Sequence, residues 1–202
     1  MNHLIIFVKN PIAGKVKTRL AQSVGDLRAL EVYQELLSIT RSEVSKLDAK
    51  KCLFYSEFVD LQDDWPVLEY QKYTQKGHHL GAKMLDAFEN VINNTSSEPS
   101  SKYIIIGSDC AELTSEILDM AFKSLDSSDC VIGPSKDGGY YLLGMNSLIP
   151  GIFENIEWST EFVLQQTITK ILTVDKTYAL LPILNDIDTI LDWEAELLRR
   201  QA

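Results

Sequence analysis

Cysteine is scarce: Cys52, Cys110 and Cys130 are an odd number, widely spaced and without a CxxC pair. A disulfide framework is therefore not expected, and three lone cysteines suit a reducing compartment, so the expected location is the cytoplasm. Long apolar runs are missing as well. The run Leu4 to Val8 has five residues, against about 18 or more for a membrane span. It comes first, with no basic region before it, so neither a secretory leader nor membrane insertion is expected. His78 and His79 are adjacent and diverge, and His3 is remote, which gives a histidine zinc site no basis. The GxSxG and HExxH patterns are absent, so hydrolases of those types fall away. Positive charge is in deficit, with 19 Lys and Arg against 29 Asp and Glu and a net charge of −10. Neither a broadly basic nucleic-acid surface nor a nucleic-acid partner is therefore expected, while a local basic site stays open.

What is present is a 202-residue chain, 45% hydrophobic and 24% charged. That is the profile of one soluble globular domain, expected to span residues 1–202. The short apolar segment Leu4 to Lys9 reads as a buried strand ended by Asn10 and Pro11. Further strands are predicted at Lys51 to Glu57, Leu68 to Tyr73, Tyr103 to Asp109, Cys130 to Gly133 and Tyr141 to Gly144. Helical spacing marks the stretch past Gly25 and Asp26, the stretch from Leu80 to Ile92, and Thr114 to about Leu125. Another helix is predicted from near Ser159, and a last one from Thr189 with Asp192 completing a capping box. The stretch Asn93 to Ser101 reads as a solvated loop. Alternating strands and helices predict an α/β fold with a mainly parallel sheet, and the less regular part after Asp129 allows an antiparallel excursion.

In such sheets ligands bind beyond the carboxyl ends of the strands. Three polar clusters fall there. The first follows the first strand. Gly14 permits a close turn, and Lys15, Lys17 and Arg19 supply charge-assisted donors for an anion such as phosphate. Residues 1–25 carry +4 and no acid, leaving −14 for the rest of the chain. Neither GxxxxGK[ST] nor GxGxxG is present. The second cluster is Ser108 and Asp109, where a carboxylate can hold a hard divalent cation that neutralises a diphosphate. The third is Asp137, Gly138, Gly139 and Tyr140, where the glycines let backbone pass close to a substrate. There Asp137 suits sugar hydroxyls, a metal or a base role, and Tyr140 suits stacking or packing. Asp186 and Asp188 share a side of an extended segment and offer a second carboxylate to a metal. The segment with Gln75 and Gly77 is placed to reach a nucleotide base or sugar.

The ordered set KNPIAGKVKTRL, QKGHHLG, GSDC, GPSKDGGYYLLG, IEWS and NDIDT resembles the DUF2064 family, also called radical-SAM/selenodomain-associated transferase 1. These are glycosyltransferase-like proteins of the GT-A, nucleotide-diphospho-sugar transferase superfamily. The resemblance implies a Rossmann-like GT-A fold that binds a nucleotide with Mg²⁺ or Mn²⁺. It places the phosphate loop at Lys9, Pro11, Gly14, Lys17, Thr18 and Arg19, the strand-end aspartate at Asp109, and the late aspartates at Asp186 and Asp188. Ala13 and Ala111 stand where the family pattern has proline, and His79 and Ala82 where it has acids. The expected reaction is glycosyl transfer from a nucleotide-diphospho-sugar to an acceptor that the sequence does not identify, with Lys17 and Arg19 stabilising the leaving diphosphate. Two alternatives stand beside it. One is nucleotidyl transfer from an NTP to a phosphorylated small molecule, with release of pyrophosphate. The other is a non-catalytic nucleotide-binding module.

Overall fold

The computed structural model describes residues 1–95 and 100–201. Seven strands form one sheet in the order β3-β2-β1-β4-β6-β5-β7. In chain order they are β1 (Asn2–Val8), β2 (Lys50–Tyr55), β3 (Tyr70–Thr74), β4 (Lys102–Ile106), β5 (Cys130–Pro134), β6 (Tyr140–Met145) and β7 (Tyr178–Leu180). The helices are α1 (Thr18–Val24), α2 (Asp26–Ser45), α3 (Leu80–Thr95), α4 (Ser115–Ser124), α5 (Val163–Thr173) and α6 (Ile190–Arg199). β1 pairs in parallel with β2 and β4, β2 with β3, and β5 with β7. Only β6 runs the other way, antiparallel to both β4 and β5. This is the mainly parallel α/β architecture that the pattern of short apolar strands predicts, with the antiparallel excursion in the second half.

Alternation along the central strands builds two cores, one on each face. Leu4, Ile6, Val8, Ile104 and Ile106 face one layer, where they meet Leu118, Ala121 and Phe122 of α4. Ile5, Cys52, Phe54 and Ile105 face the other, against Met84, Ala87, Phe88 and Val91 of α3. Those four α3 residues recur at three and four spacing, which is why the segment folds as a helix and which stripe it buries. A third cluster joins Leu20 of α1, Ala29, Val32 and Leu36 of α2, and Trp193 of α6. Each fully buried aliphatic side chain contributes about 1.5–3 kcal/mol, so the middle of the sheet tolerates little change of polarity.

Local signals fix several helix ends. Thr114 caps α4 by accepting from the Ile117 amide at 3.4 Å. Thr189 and Asp192 form the reciprocal box that starts α6. Other boundaries differ from the sequence reading. α1 is an extra helix of seven residues inside the basic segment, and β7 is an extra strand of three. α5 begins at Val163 with Phe162 as its cap, and Ser159, at φ 65°, lies in a turn before it. The predicted loop Asn93 to Ser101 is helical through Thr95, and 96–99 lie outside the described residues.

Candidate active site

β1, β2, β3 and β4 all end at one edge of the sheet, and the reversed β6 begins there. A cleft of about 740 Å³ opens over this edge. Its floor includes Val8, Lys9, Ile106 and Gly107 at the ends of β1 and β4. That is the crevice position at which open α/β sheets take ligands.

Two residues hold the floor in shape. The Tyr33 hydroxyl of α2 accepts from the Lys9 amide at 2.7 Å and shares a hydrogen bond with Ser108 Oγ at 3.1 Å. It thereby ties the end of β1 to the end of β4. Burial, with Asp109 nearby, pushes the Tyr33 phenol well above its ordinary pKa, so it stays neutral. The buried Asn10 carboxamide donates to the Phe58 carbonyl at 2.9 Å and accepts from the Glu57 and Phe58 amides at 3.0 and 3.3 Å. It joins the loop after β1 to the loop after β2. The sequence shows Tyr33 only as one of a helical stripe and Asn10 only as a strand terminator.

The charged centre lies between α1 and the late aspartates. Lys17 has a left-handed backbone (φ 47°, ψ 46°) as the cap of α1, and this turns its side chain inward. Its ammonium sits 2.5 Å from Asp109 Oδ1 and 3.6 Å from Asp188 Oδ1, with the lysine side chain only 4% exposed. Arg19, well exposed, reaches Asp188 Oδ2 at 3.3 Å. The 185–189 segment is delivered here by main-chain bonds. Leu184 N donates to the Pro134 carbonyl at 3.1 Å, and Ile187 N donates to the Asp109 carbonyl at 2.9 Å. Asp186 is pushed up to about 7, first by burial and then by Asp109, against the opposing pull of Lys17. Asp137 Oδ1 accepts from Ser135 Oγ at 2.5 Å and from the Gly139 amide at 2.9 Å. One of its oxygens therefore serves the turn into β6.

The cleft collects Lys9, Lys17, Thr18, Arg19, Gln75, Ser108, Asp109, Asp137, Gly139, Tyr140, Asp186 and Asp188 from the sequence expectation. Pro11, Gly14, Lys15, Gly77 and Gly138 are not on its wall. Gly14 shapes the loop at φ 77°, and Lys15 turns outward to Glu57 at 2.9 Å. Gln75 Nε2 donates to the Phe54 and Val8 carbonyls at 3.0 and 3.3 Å, binding β2 to β1 beside the cleft. His79, at one of the positions where the family pattern has acids, accepts from the Ala82 amide at 3.2 Å and caps α3. The wall also contains Lys83, Trp158 and Glu161, to which the sequence reading gave no role.

Among the described residues no group of three or more His, Cys, Asp or Glu side chains is arranged to hold a metal ion. The expected trio Asp109, Asp186 and Asp188 therefore does not close into a ready-made cage. Two of its members do converge, since Asp109 and Asp188 both approach the Lys17 ammonium. A pair of hard carboxylates fits Mg²⁺ or Mn²⁺, which commonly take one or two carboxylates plus substrate phosphates.

Sheet order, the single reversed strand and the strand-end cleft define a Rossmannoid fold of the GT-A and cytidylyltransferase class. A protein of Desulfovibrio desulfuricans G20, provisionally described as a nucleotide-diphospho-sugar transferase, superposes with a TM-score of 0.83 at 29% identity. The match covers 96% of this chain and 85% of that one. The inositol-1-phosphate CTP transferase of T. maritima has a TM-score of 0.56 at 16% identity, covering 98% of this chain and 94% of its own. The 4-diphosphocytidyl-2C-methyl-D-erythritol synthase of Anaerococcus prevotii DSM 20548 has a TM-score of 0.57 at 12% identity, covering 100% and 96%. These last two share the fold. The chain belongs to DUF2064, the family described as "Uncharacterized protein conserved in bacteria", whose profile matches residues 44–160. No curated protein matches it.

Proposed function

We propose that the chain is a nucleotidyltransferase that moves the NMP group of an NTP onto a small phosphorylated acceptor and releases pyrophosphate. The observation that carries this reading is Lys17. A desolvated ammonium at the ends of β1 and β4, with Arg19 beside it in the cleft, supports the reading because two cations at a strand-end crevice suit a triphosphate. An acceptor phosphate oxygen attacks the α-phosphorus, the bond from that phosphorus to the bridging oxygen breaks, and pyrophosphate leaves with the electron pair. Phosphoryl chemistry of this kind asks chiefly for positioning and charge stabilisation. Lys17 and Arg19 supply positive charge that is oriented before substrate arrives. Asp109 and Asp188 hold both cations and are the residues that would hold a divalent ion, which supplies further neutralisation of phosphate charge when bound.

The fold relatives named as an inositol-1-phosphate CTP transferase and a 4-diphosphocytidyl-2C-methyl-D-erythritol synthase support this reading over sugar transfer. Sugar transfer from a nucleotide-diphospho-sugar is the second reading, favoured by the description of the Desulfovibrio protein and by the resemblance to radical-SAM/selenodomain-associated transferases. A panel of NTPs and nucleotide-diphospho-sugars, each with Mg²⁺ or Mn²⁺ and a mixture of phosphorylated small molecules, separates the two. Pyrophosphate release is the expected result. NDP release without pyrophosphate replaces it with sugar transfer, and no product from any donor removes both.

A further inference from the structure

The charged centre has two flanks. Ser56 and Gln75 lie toward β2 and β3, while Tyr140 and the turn from Trp158 to Glu161 lie beyond β4, at the start of β6. The second flank is built to hold one side chain still. Asn155 and Ser159, neither of them glycine, take left-handed backbones at φ 52° and 65°. Such backbones are strained for residues with a Cβ, and persist where the surroundings fix them. Here the fixing contacts are explicit. Glu157 N donates to Gln166 Oε1 at 2.8 Å, and Gln166 Nε2 donates back to Glu157 Oε1 at 3.0 Å. Leu164 N donates to the Gly138 carbonyl at 2.9 Å.

Two glycines make room for the turn. A Cβ on Gly138, at φ 87°, would lie 2.3 Å from the Glu161 carbonyl oxygen. A Cβ on Gly81 of α3 would lie 2.4 Å from the indole of Trp158. The indole thus rests directly on helix backbone, with the Phe153 ring 6.5 Å behind it. Trp158 is nevertheless only half-buried and lines the cleft, beside Leu80 and Lys83 of α3 and Ser159 and Glu161 of its own turn.

Resting on the nucleotidyl-transfer reading, we propose that Trp158 is the platform for the second substrate and that this substrate is a phosphorylated polyhydroxyl compound. A rigid indole offers a flat apolar surface to the C–H face of a sugar or cyclitol. The Glu161 carboxylate and the Ser159 hydroxyl accept from its hydroxyl groups, and the Lys83 ammonium takes its phosphate. Trp158 is then a specificity-determining residue, on a different flank of the same cleft from the Lys17 centre that handles the triphosphate. An apolar floor with a few convergent polar groups is the usual make-up of a small-molecule subsite.

Trp65 and Trp193 are buried and Trp158 is not, so acrylamide quenching of tryptophan fluorescence reports chiefly on the proposed platform. The probes are glucose 1-phosphate, myo-inositol 1-phosphate and CTP, each added alone to the full chain. At least one phosphopolyol is expected to lower the quenching constant by roughly half or more as the indole is covered, while CTP leaves it nearly unchanged. Trp158→Ala is expected to weaken binding of that phosphopolyol about tenfold, with Trp158→Phe retaining most of it. CTP affinity stays within about twofold in both variants. Protection by CTP alone makes Trp158 a nucleobase platform and overturns the proposal. So does the absence of protection by either phosphopolyol, or unchanged affinity in Trp158→Ala. The measurement needs no turnover. Protection without pyrophosphate release from any NTP therefore removes nucleotidyl transfer and leaves the platform standing.

Discussion

Lys17 combines two opposed contributions, and a pair of substitutions separates them. Its side chain is desolvated between Asp109 and Asp188, whose own side chains are 41% and 43% exposed. Removing one member of a fully buried pair costs about 3–5 kcal/mol. The two carboxylates here keep access to water, so Lys17→Ala is expected to cost less, about 2 kcal/mol. The left-handed backbone of Lys17 (φ 47°) is a separate cost of about 1–2 kcal/mol for any residue with a Cβ. Lys17→Gly loses the same ion pairs but removes that strain, less the extra chain entropy of glycine, a net recovery of about 1 kcal/mol relative to Lys17→Ala. Urea unfolding of the three chains at neutral pH reads this as a midpoint order of wild type, then glycine, then alanine, with a common m-value. A glycine variant no more stable than the alanine variant refutes the strain argument. An alanine variant as stable as wild type refutes the claim that the pairs stabilise the fold. Both variants are expected to lose pyrophosphate release by about a hundredfold or more, since neither restores the cation.

Three further outcomes follow from other contacts. Asn10→Ala removes a buried carboxamide that satisfies two main-chain amides and one carbonyl, and is expected to cost about 2–3 kcal/mol in thermal or chemical unfolding. Asp129 is lowered to about 2, first by the Thr177 amide and then by Lys176. Its stabilisation is therefore present above about pH 4 and lost as pH falls through about 2; Asp129→Asn should cost about 1 kcal/mol at pH 7, after discounting for its exposure, and progressively less as the pH falls through that value. Asp109→Asn should weaken Mg²⁺-dependent NTP binding about tenfold or more in calorimetry, and unchanged binding would remove Asp109 from the ion's ligand pair.

How much of this was legible beforehand depended on the range of the interactions. The strands at Leu4, Tyr103 and Cys130 are buried on both faces, so their apolar runs stand out, and Asp109 follows from the end of one of them. The capping box at Thr189 and Asp192 is equally local. α1 is too short to show a period, and its cap is a strained lysine rather than Ser, Thr or Asp. β7 has three residues and forms only because β5 lies beside it. The cleft itself depends on distant pairs: Arg19 meets Asp188 across 169 positions, and Trp158 meets the backbone at Gly81. A motif search finds each partner, but only the sheet order brings them together. The outward turn of Lys15 towards Glu57 was hidden for the same reason, since spacing alone cannot tell an inward lysine from an outward one.

Each cation at the centre of the cleft is already matched to a carboxylate, within a chain of net charge −10. The wall also carries Lys9 and Lys83, and these are offset by Asp137, Glu161 and Asp186, so the entrance projects little net attraction into solvent. A polyanionic nucleotide approaches against the field of the whole surface and is gripped only at contact. Its arrival should be slow for a small ligand and should quicken as salt rises from about 10 to 100 mM, even while the final complex weakens. Stopped-flow binding over that range would show the two trends running in opposite directions.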